Sequence, residues 1–314
     1  MFWTDLRRSG VLPGLAMLVA VVALNVWLQP HFFGRPSLES NIATFTPTIL
    51  VCIAQAIIVL NRQLDLSLGA GVSLLNCALA SLPTDIVGGA WTTIVVTLLL
   101  ALALGAVNGI LVAFLGLPSL IATFATGAIW FGLALGLMPQ PGGAVDPGLG
   151  DLYGADWFGL PVPLLIVCVV MAGCILLGRH RFGRWLVAVG SNPASAFQAG
   201  VPVRAATLGA YVVAWLLVFL SALSISAQTL SGDARLGQTY TLTSVAAVVI
   251  GGISLAGGRG SPWGALLGAL VLGIIANVIY FAGIPSIWQE FFKGLVVMAA
   301  LGFMVFGQLR RRMA

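Results

Sequence analysis

The sequence predicts an all-α polytopic membrane protein of about ten transmembrane helices, arranged as two inverted five-helix halves. Three observations predict it. Sixty per cent of the 314 residues are hydrophobic and seven per cent charged, with a mean hydropathy of +1.07, and no soluble domain of this length hides so much apolar surface. Apolar runs long enough to cross a bilayer recur from end to end. Basic residues gather in alternate connections, as expected where Lys and Arg mark the cytoplasmic side. The net charge of +5 is therefore a topology signal and gives no reason to expect nucleic acid.

Taken in order, Arg7 and Arg8 precede the run 11–28, which at 1.5 Å per residue spans roughly 27 Å, enough for the hydrocarbon core. A cleavable signal would show a shorter core and a small-x-small site, and residues 25–29 have none. This run reads as an uncleaved first span with its N-terminus inside. Further spans are expected at about 42–60, 66–82, 91–114, 119–138, 160–177, 205–227, 242–255, 263–281 and 286–306. The inner side then receives Arg7, Arg8, Arg62, Arg179, Arg181, Arg184, Arg204, Arg259, Arg310, Arg311 and Arg312, while the outer side receives only Arg35 and Arg235. The longest outer loop, 139–159, holds Asp146, Asp151 and Asp156 and no base. Both termini are expected in the cytoplasm, with the chain as one transmembrane domain (1–314) of halves 1–159 and 160–314.

An internal echo supports the halves. Gly116-Leu-Pro-Ser119-Leu120, with Gly127 beyond, matches Gly283-Ile-Pro-Ser286-Ile287, with Gly294 beyond, at a constant offset. The first copy joins spans four and five on the inside, the second spans nine and ten on the outside. Opposite orientation of two five-span halves is an inverted repeat. Asn108 and Asn277 precede the two copies.

Between the halves lies the longest segment able to sit in water, 179–204. It carries Arg179, Arg181, Arg184 and Arg204 and no acid. Asn192 can cap a helix whose first position suits Pro193, and Gly200 followed by Pro202 reads as its stop. That leaves a short helix, 193–199, bearing Ala196 and an exposed Phe197. It is either a basic loop with one helical turn or a docking knob for a cytoplasmic partner.

Two polar sites interrupt the apolar runs. At 61–71, Asp65 and Ser67 precede an apolar helix near the inner edge. The carboxylate can cap the first-turn N–H groups or mark a fixed break beside a translocation path, with Gly69 and Gly71 admitting a neighbouring helix. On the last span Glu290 and Lys293 stand three apart, either a neutralising pair or a substrate contact. The glycines at 251–252, 257–258, 260, 264, 268 and 273 suit close helix packing. Cys52, Cys77, Cys168 and Cys174 fall inside apolar runs and read as buried free thiols, and no metal site is implied. No Gly-x-x-x-x-Gly-Lys-[Ser/Thr] or nucleophile triad occurs, so neither ATP binding nor catalysis is expected on this chain.

Three stretches carry a resemblance. Leu64-Asp65-Leu-Ser67-Leu-Gly69 resembles the Gly-Ile-Asp-Leu-Ser-Val-Gly signature of permease subunits of ribose-type bacterial ABC sugar importers. So does Arg181-Phe-Gly-Arg…Ala188-Val-Gly-Ser-Asn192-Pro…Ala196…Gly200-Val, the family's cytoplasmic tract. The third is Ala246-Ala-Val-Val-Ile-Gly-Gly-Ile-Ser-Leu-Ala-Gly-Gly-Arg-Gly260-Ser, continuing to Trp288-Gln289 and Lys293-Gly294. The resemblance implies an importer of a pentose, hexose or related polyol in a bacterial inner membrane. It implies a second permease subunit, cytoplasmic ATPases that bind ATP and Mg²⁺, and a periplasmic sugar-binding protein. It also implies that 179–204 is the coupling loop, with Asn192, Pro193, Ala196, Phe197 and Gly200 docking the ATPase. Arg62-Gln63 replaces the family's Gly-Gly, and Thr241-Leu-Thr243 its Glu-Leu-Asp, which fits one member of a heterodimeric pair and leaves a homodimer open. The competing classes are an ion-coupled secondary transporter, which shares inverted repeats, and a channel. An ion-coupled transporter commonly needs a mid-membrane acid, and a channel a polar pore stripe.

Overall fold

The computed structural model describes residues 11–82 and 89–285, and scattered residues from 287 to 302. Its elements are α1 (Val11–Leu28), α2 (Arg35–Leu60), α3 (Leu68–Ser81), α4 (Ala90–Ala113), α5 (Ser119–Leu137) and α6 (Pro147–Gly154). A hairpin of β1 (Asp156–Trp157) and β2 (Leu160–Pro161) follows. The second half runs α7 (Val162–Arg179), α8 (Arg181–Ser191), α9 (Pro193–Gln198), α10 (Val203–Thr229), α11 (Gln238–Ile250) and α12 (Pro262–Phe281).

Apolar helices occupy the first nine expected span positions, and among the described residues α2, α4, α5, α7, α10 and α12 are long and apolar enough to cross a membrane. Helices α3 and α11 have 14 and 13 residues, about 21 and 20 Å at 1.5 Å per residue, short of the hydrocarbon thickness. Ten full-length crossings are therefore not what the described residues hold. The tenth expected span, 286–306, with Glu290 and Lys293, lies largely outside them; both of those residues do. Helix α2 starts at Arg35, seven residues before the expected run, because Pro36 in the first turn suits a helix start.

Helices α2 and α10 form the buried centre; Ile49, Leu50, Ile53, Ile57 and Trp215 are fully covered. Helices α4, α5 and α7 are covered on one face only and show Leu99, Ile121, Phe124 and Val169 outward. An outward apolar face on a long helix is a lipid-facing face.

One interior proline shows how the bundle satisfies its backbone. Pro47 in α2 lacks the N–H that would bond the carbonyl of Ala43. That carbonyl instead accepts the hydroxyl of Tyr153 from α6 at 2.8 Å. Burial pushes the Tyr153 phenol up to about 12, so it stays a donor at physiological pH. The Pro47 carbonyl in turn accepts the Ser221 hydroxyl of α10 at 2.9 Å.

The end of the bundle carrying the 139–161 loop collects Ala80, Ala43 and Leu230 around that loop. The opposite end, where the arginines of 179–204 lie, ties three segments together. Gly258 donates its N–H to the Leu60 carbonyl at 3.1 Å, and a Cβ on Gly190 of α8 would run into the same carbonyl. This corrects two expectations. Helix α11 ends at Ile250 rather than 255, and Gly257 and Gly258 lie outside any helix, against Gly190 and Ser191 at the end of α8. They stand in a loop at φ +84 and +67, the left-handed region that favours glycine. Gly264, Gly268 and Gly273 of α12 do pack closely, against Gly251, Ala247 and Phe45.

Candidate functional site

Segment 61–67 is non-helical yet buried at Asn61, Asp65 and Ser67. Bare backbone within a bundle must find partners, and α5 supplies them as a ladder of hydroxyls. Ser119 Oγ accepts the N–H of Leu64 at 3.2 Å, and Thr123 Oγ1 that of Leu66 at 3.0 Å. The spacing i, i+4 on α5 meets alternate residues of an extended chain, which is why two hydroxyls suffice. One turn further, Gly127 leaves room for the Ser67 backbone, whose Cα a Cβ there would meet at 3.2 Å.

Asp65 lies near the end of this segment and is fully buried. Its Oδ1 accepts the Ser67 N–H at 2.7 Å and the Ser67 hydroxyl at 2.5 Å. Its Oδ2 accepts Trp215 Nε1–H at 3.0 Å and Asn108 Nδ2–H at 3.3 Å. Asn108 also donates to Ser67 Oγ at 2.8 Å and accepts the Thr126 hydroxyl at 2.7 Å through Oδ1. Every neighbour of the carboxylate is a donor, so the site is built for an acceptor-only group.

Three expected residues, Asp65, Ser67 and Asn108, thus meet at one junction. The expected cap is corrected: α3 begins at Leu68 with Ser67 as the flanking residue. Asp65 binds that residue's own N–H and then reaches across to α4 and α10, so its role is between helices. The Asp65 carboxylate lies away from the protein surface, against the flank of α3 and side chains of α4 and α10. Sequence reasoning missed Trp215, Ser119, Thr123 and Thr126. The hydroxyls left a trace, polar positions at helical spacing on an apolar run. Trp215 left none. Its indole enters a slot where Gly71 of α3 and Gly105 of α4 lack side chains.

Beyond the junction, the N-terminal turns of α3 and α11 cross at Gly69 and Gly237. A Cβ on either would run into the other's carbonyl oxygen, and Gly237 N–H donates to Ser73 Oγ at 2.9 Å. Half-length helices meeting at their N-termini are a recurring device of inverted-repeat transporters.

At the basic end the tract holds two helices where one was expected. Helix α8 is amphipathic: Leu186, Val189 and Gly190 are buried, while Arg181 and Arg184 are exposed. His180 Nδ1 accepts the Phe182 N–H at its start. Helix α9 follows at once, with Asn192 Oδ1 accepting the Ser195 N–H at 3.0 Å. Ala196 is buried against Val189 and Ala206, Phe197 is 73% exposed, and Gly200 leaves the helix at φ +80.

The long lipid-facing helices, the buried polar break and the displayed basic-end helix define a class: a polytopic helical membrane protein. The chain belongs to the family described as the branched-chain amino acid transport system / permease component, whose model matches residues 37–301. It is similar to the ribose import permease protein RbsC of Escherichia coli K12, 30% identical over 91% of each chain. RbsC of Bacillus subtilis is 30% identical over 94% of this chain and 92% of the relative. The autoinducer 2 import system permease protein LsrC of Klebsiella pneumoniae is 32% identical over 98% of this chain and 90% of the relative. No solved structure matches. The resemblance to permeases of ribose-type ABC sugar importers is thereby borne out.

Proposed function

We propose that this chain is one transmembrane subunit of an ATP-driven importer for a sugar or sugar-like small solute in a bacterial inner membrane. A second permease subunit, alike or different, completes the path. ATP and Mg²⁺ bind on separate cytoplasmic ATPases, and a periplasmic binding protein delivers the solute. Both termini lie in the cytoplasm with the 179–204 coupling loop. Support for the solute class comes from the relatives, which import ribose and autoinducer 2.

The observation that carries the coupling is the build of α9. An ATPase can move the bundle only through a rigid contact, and α9 is capped, seated on Ala196 and joined through α8 to the Leu60–Gly258 contact. Phe197 projects from it as the anchor, and an aromatic buried at an interface contributes about 2 kcal/mol or more. Asp65, Ser67 and Asn108 hold the break that this motion reaches. In the repeat register Glu290 and Lys293 are the counterparts of Thr123 and Thr126.

The test is co-purification of the ATPase with wild-type and Phe197→Ala permease, beside sugar uptake. The variant should insert normally, bind the ATPase weakly and transport little. Undiminished association makes Phe197 an ordinary surface residue. The buried Asp65 keeps one rival reading in play, since an ion-coupled transporter needs such an acid. Uptake by the reconstituted complex that follows an ion gradient and ignores ATP would establish that rival.

A further inference from the structure

The 139–161 loop ends in a feature with no part in the junction or in coupling. Trp157 pairs with Leu160 and Asp156 with Pro161, leaving a two-residue turn of Phe158 and Gly159 at φ +56 and +75. Such a turn needs positive φ at both positions, where Asn and Gly are at home and a bulky aromatic is strained. Phe158 is also 98% exposed. The fold thus holds a large apolar ring in a costly conformation against no neighbour. It also holds it firmly: Arg35 Nη2 donates to Asp156 Oδ2 at 2.8 Å, and Val162 N–H to the Ala155 carbonyl at 3.0 Å.

The position says what the ring meets. Helix α7 begins one residue after β2 and exposes Val169 and Leu176, so the hairpin stands on the lipid-facing perimeter. Trp27, Phe33, Trp91 and Tyr280 are exposed at the same end of the bundle, at or beside the termini of α1, α2, α4 and α12. Exposed aromatics at span ends form the belt that sits at headgroup level. The nearest acid, Asp156, is paired with Arg35, which also holds Glu39. The turn itself, Phe158-Gly159, carries no charge and is flanked by Trp157 and Leu160, which suits the boundary between headgroups and acyl chains.

We propose that the 156–161 hairpin is a lipid anchor: Trp157 and Phe158 insert into the outer-leaflet headgroup boundary and fix the α7 end of the 139–161 loop at that depth. This rests on the chain spanning a membrane and not on what it transports. The probe is an environment-sensitive fluorophore on Leu160→Cys in a Cys168→Ser background, in phospholipid nanodiscs with a nitroxide lipid labelled near the headgroup. Strong quenching is expected at 160 and little at a control label on the exposed Asp151→Cys. Adding Phe158→Gly should cut the quenching at 160 several-fold while leaving the melting temperature in detergent unchanged or raised, because glycine relieves the turn. Equal quenching at 151 and 160 overturns the proposal. So does a lowered melting temperature for Phe158→Gly, which would make the ring a packing residue. A label shielded only when a soluble binding protein is added would assign the tip to that protein and also overturn it.

Discussion

Segments 61–67 and 230–237 each interrupt the helical ladder ahead of a half-length helix. Each places an aspartate whose Oδ1 takes the N–H two residues on: Ser67 onto Asp65 at 2.7 Å, and Arg235 onto Asp233 at 2.8 Å. The two helices that follow cross at Gly69 and Gly237. Beyond that common plan the braces differ. The first break is held by side chains of four helices, through Ser119 and Thr123, Asn108, Trp215 and Thr241, and its carboxylate is sealed. The second is held by α3, through Asn76 and Ser73, by Thr229 at the end of α10, whose hydroxyl donates to the Ser231 carbonyl at 2.9 Å, and by an antiparallel bridge from Gly232 to Gly142 of the 139–161 loop. Asp233 is half-buried and Arg235 exposed. A break wired into four helices is a fixed pivot. A break held across the bundle by one helix, and otherwise by its own flank at the end of α10 and a surface loop, can be released when that loop moves.

The largest expected effect lies at the pivot. Asp65→Leu strands the Trp215, Asn108 and Ser67 donors in a dry interior, and loss of one partner from such a buried polar set costs about 3 kcal/mol or more. Thermal unfolding in detergent should show little folded protein. A variant as stable as wild type would mean that the junction carries no stability and the contrast between the breaks is false.

Asp65→Asn sharpens the same contrast at a smaller scale. One amide oxygen can still accept from Ser67, but the amide nitrogen then faces Trp215 Nε1 and Asn108 Nδ2, donor against donor. The expected loss is about 1–3 kcal/mol, read as a lowered unfolding midpoint. A simple helix cap would lose almost nothing, because Asn caps as well as Asp. Near-wild-type stability would therefore restore the cap and remove the junction.

How much of this was legible follows from what hydropathy measures. Runs of apolar residues reported where α1 to α5, α7 and α10 to α12 lie in the bundle, since burial in lipid and burial in protein select the same side chains. They could not report that α3 and α11 are half-length, because Leu66 before α3 and Ile253 and Leu255 after α11 are as apolar as helix. Gly251 and Gly252 gave the right signal for the end of α11 but admit a second reading as packing glycines. Helix α8 was readable and missed: Phe182, Leu186 and Val189 repeat at helical spacing with Arg181 and Arg184 between them. The pairing of Trp215 with Asp65 joins residues 150 apart in sequence. Nothing local encodes it, and only the glycine slot at positions 71 and 105 prepares for it.

The smallest effect on stability is expected at Asp233, and it bears most directly on the comparison. Asp233→Ala removes one carboxylate contact, the Arg235 N–H on Oδ1. The backbone bonds of the same turn survive, with Asp233 N–H still on Asn76 Oδ1 and the Leu236 N–H still on the Asp233 carbonyl. Water reaches a half-buried site and can replace the lost acceptor, so the cost should stay at or below about 1 kcal/mol. Amide exchange should nevertheless quicken at Gly237 and Gln238, because the bond that shapes the start of α11 is gone, while exchange at Ser67 and Leu68 stays slow. That outcome would establish two breaks of one design and unequal stiffness. Equal acceleration at both would mean that the Gly69–Gly237 crossing binds them into one unit, and the pivot and the releasable break would be a single hinge.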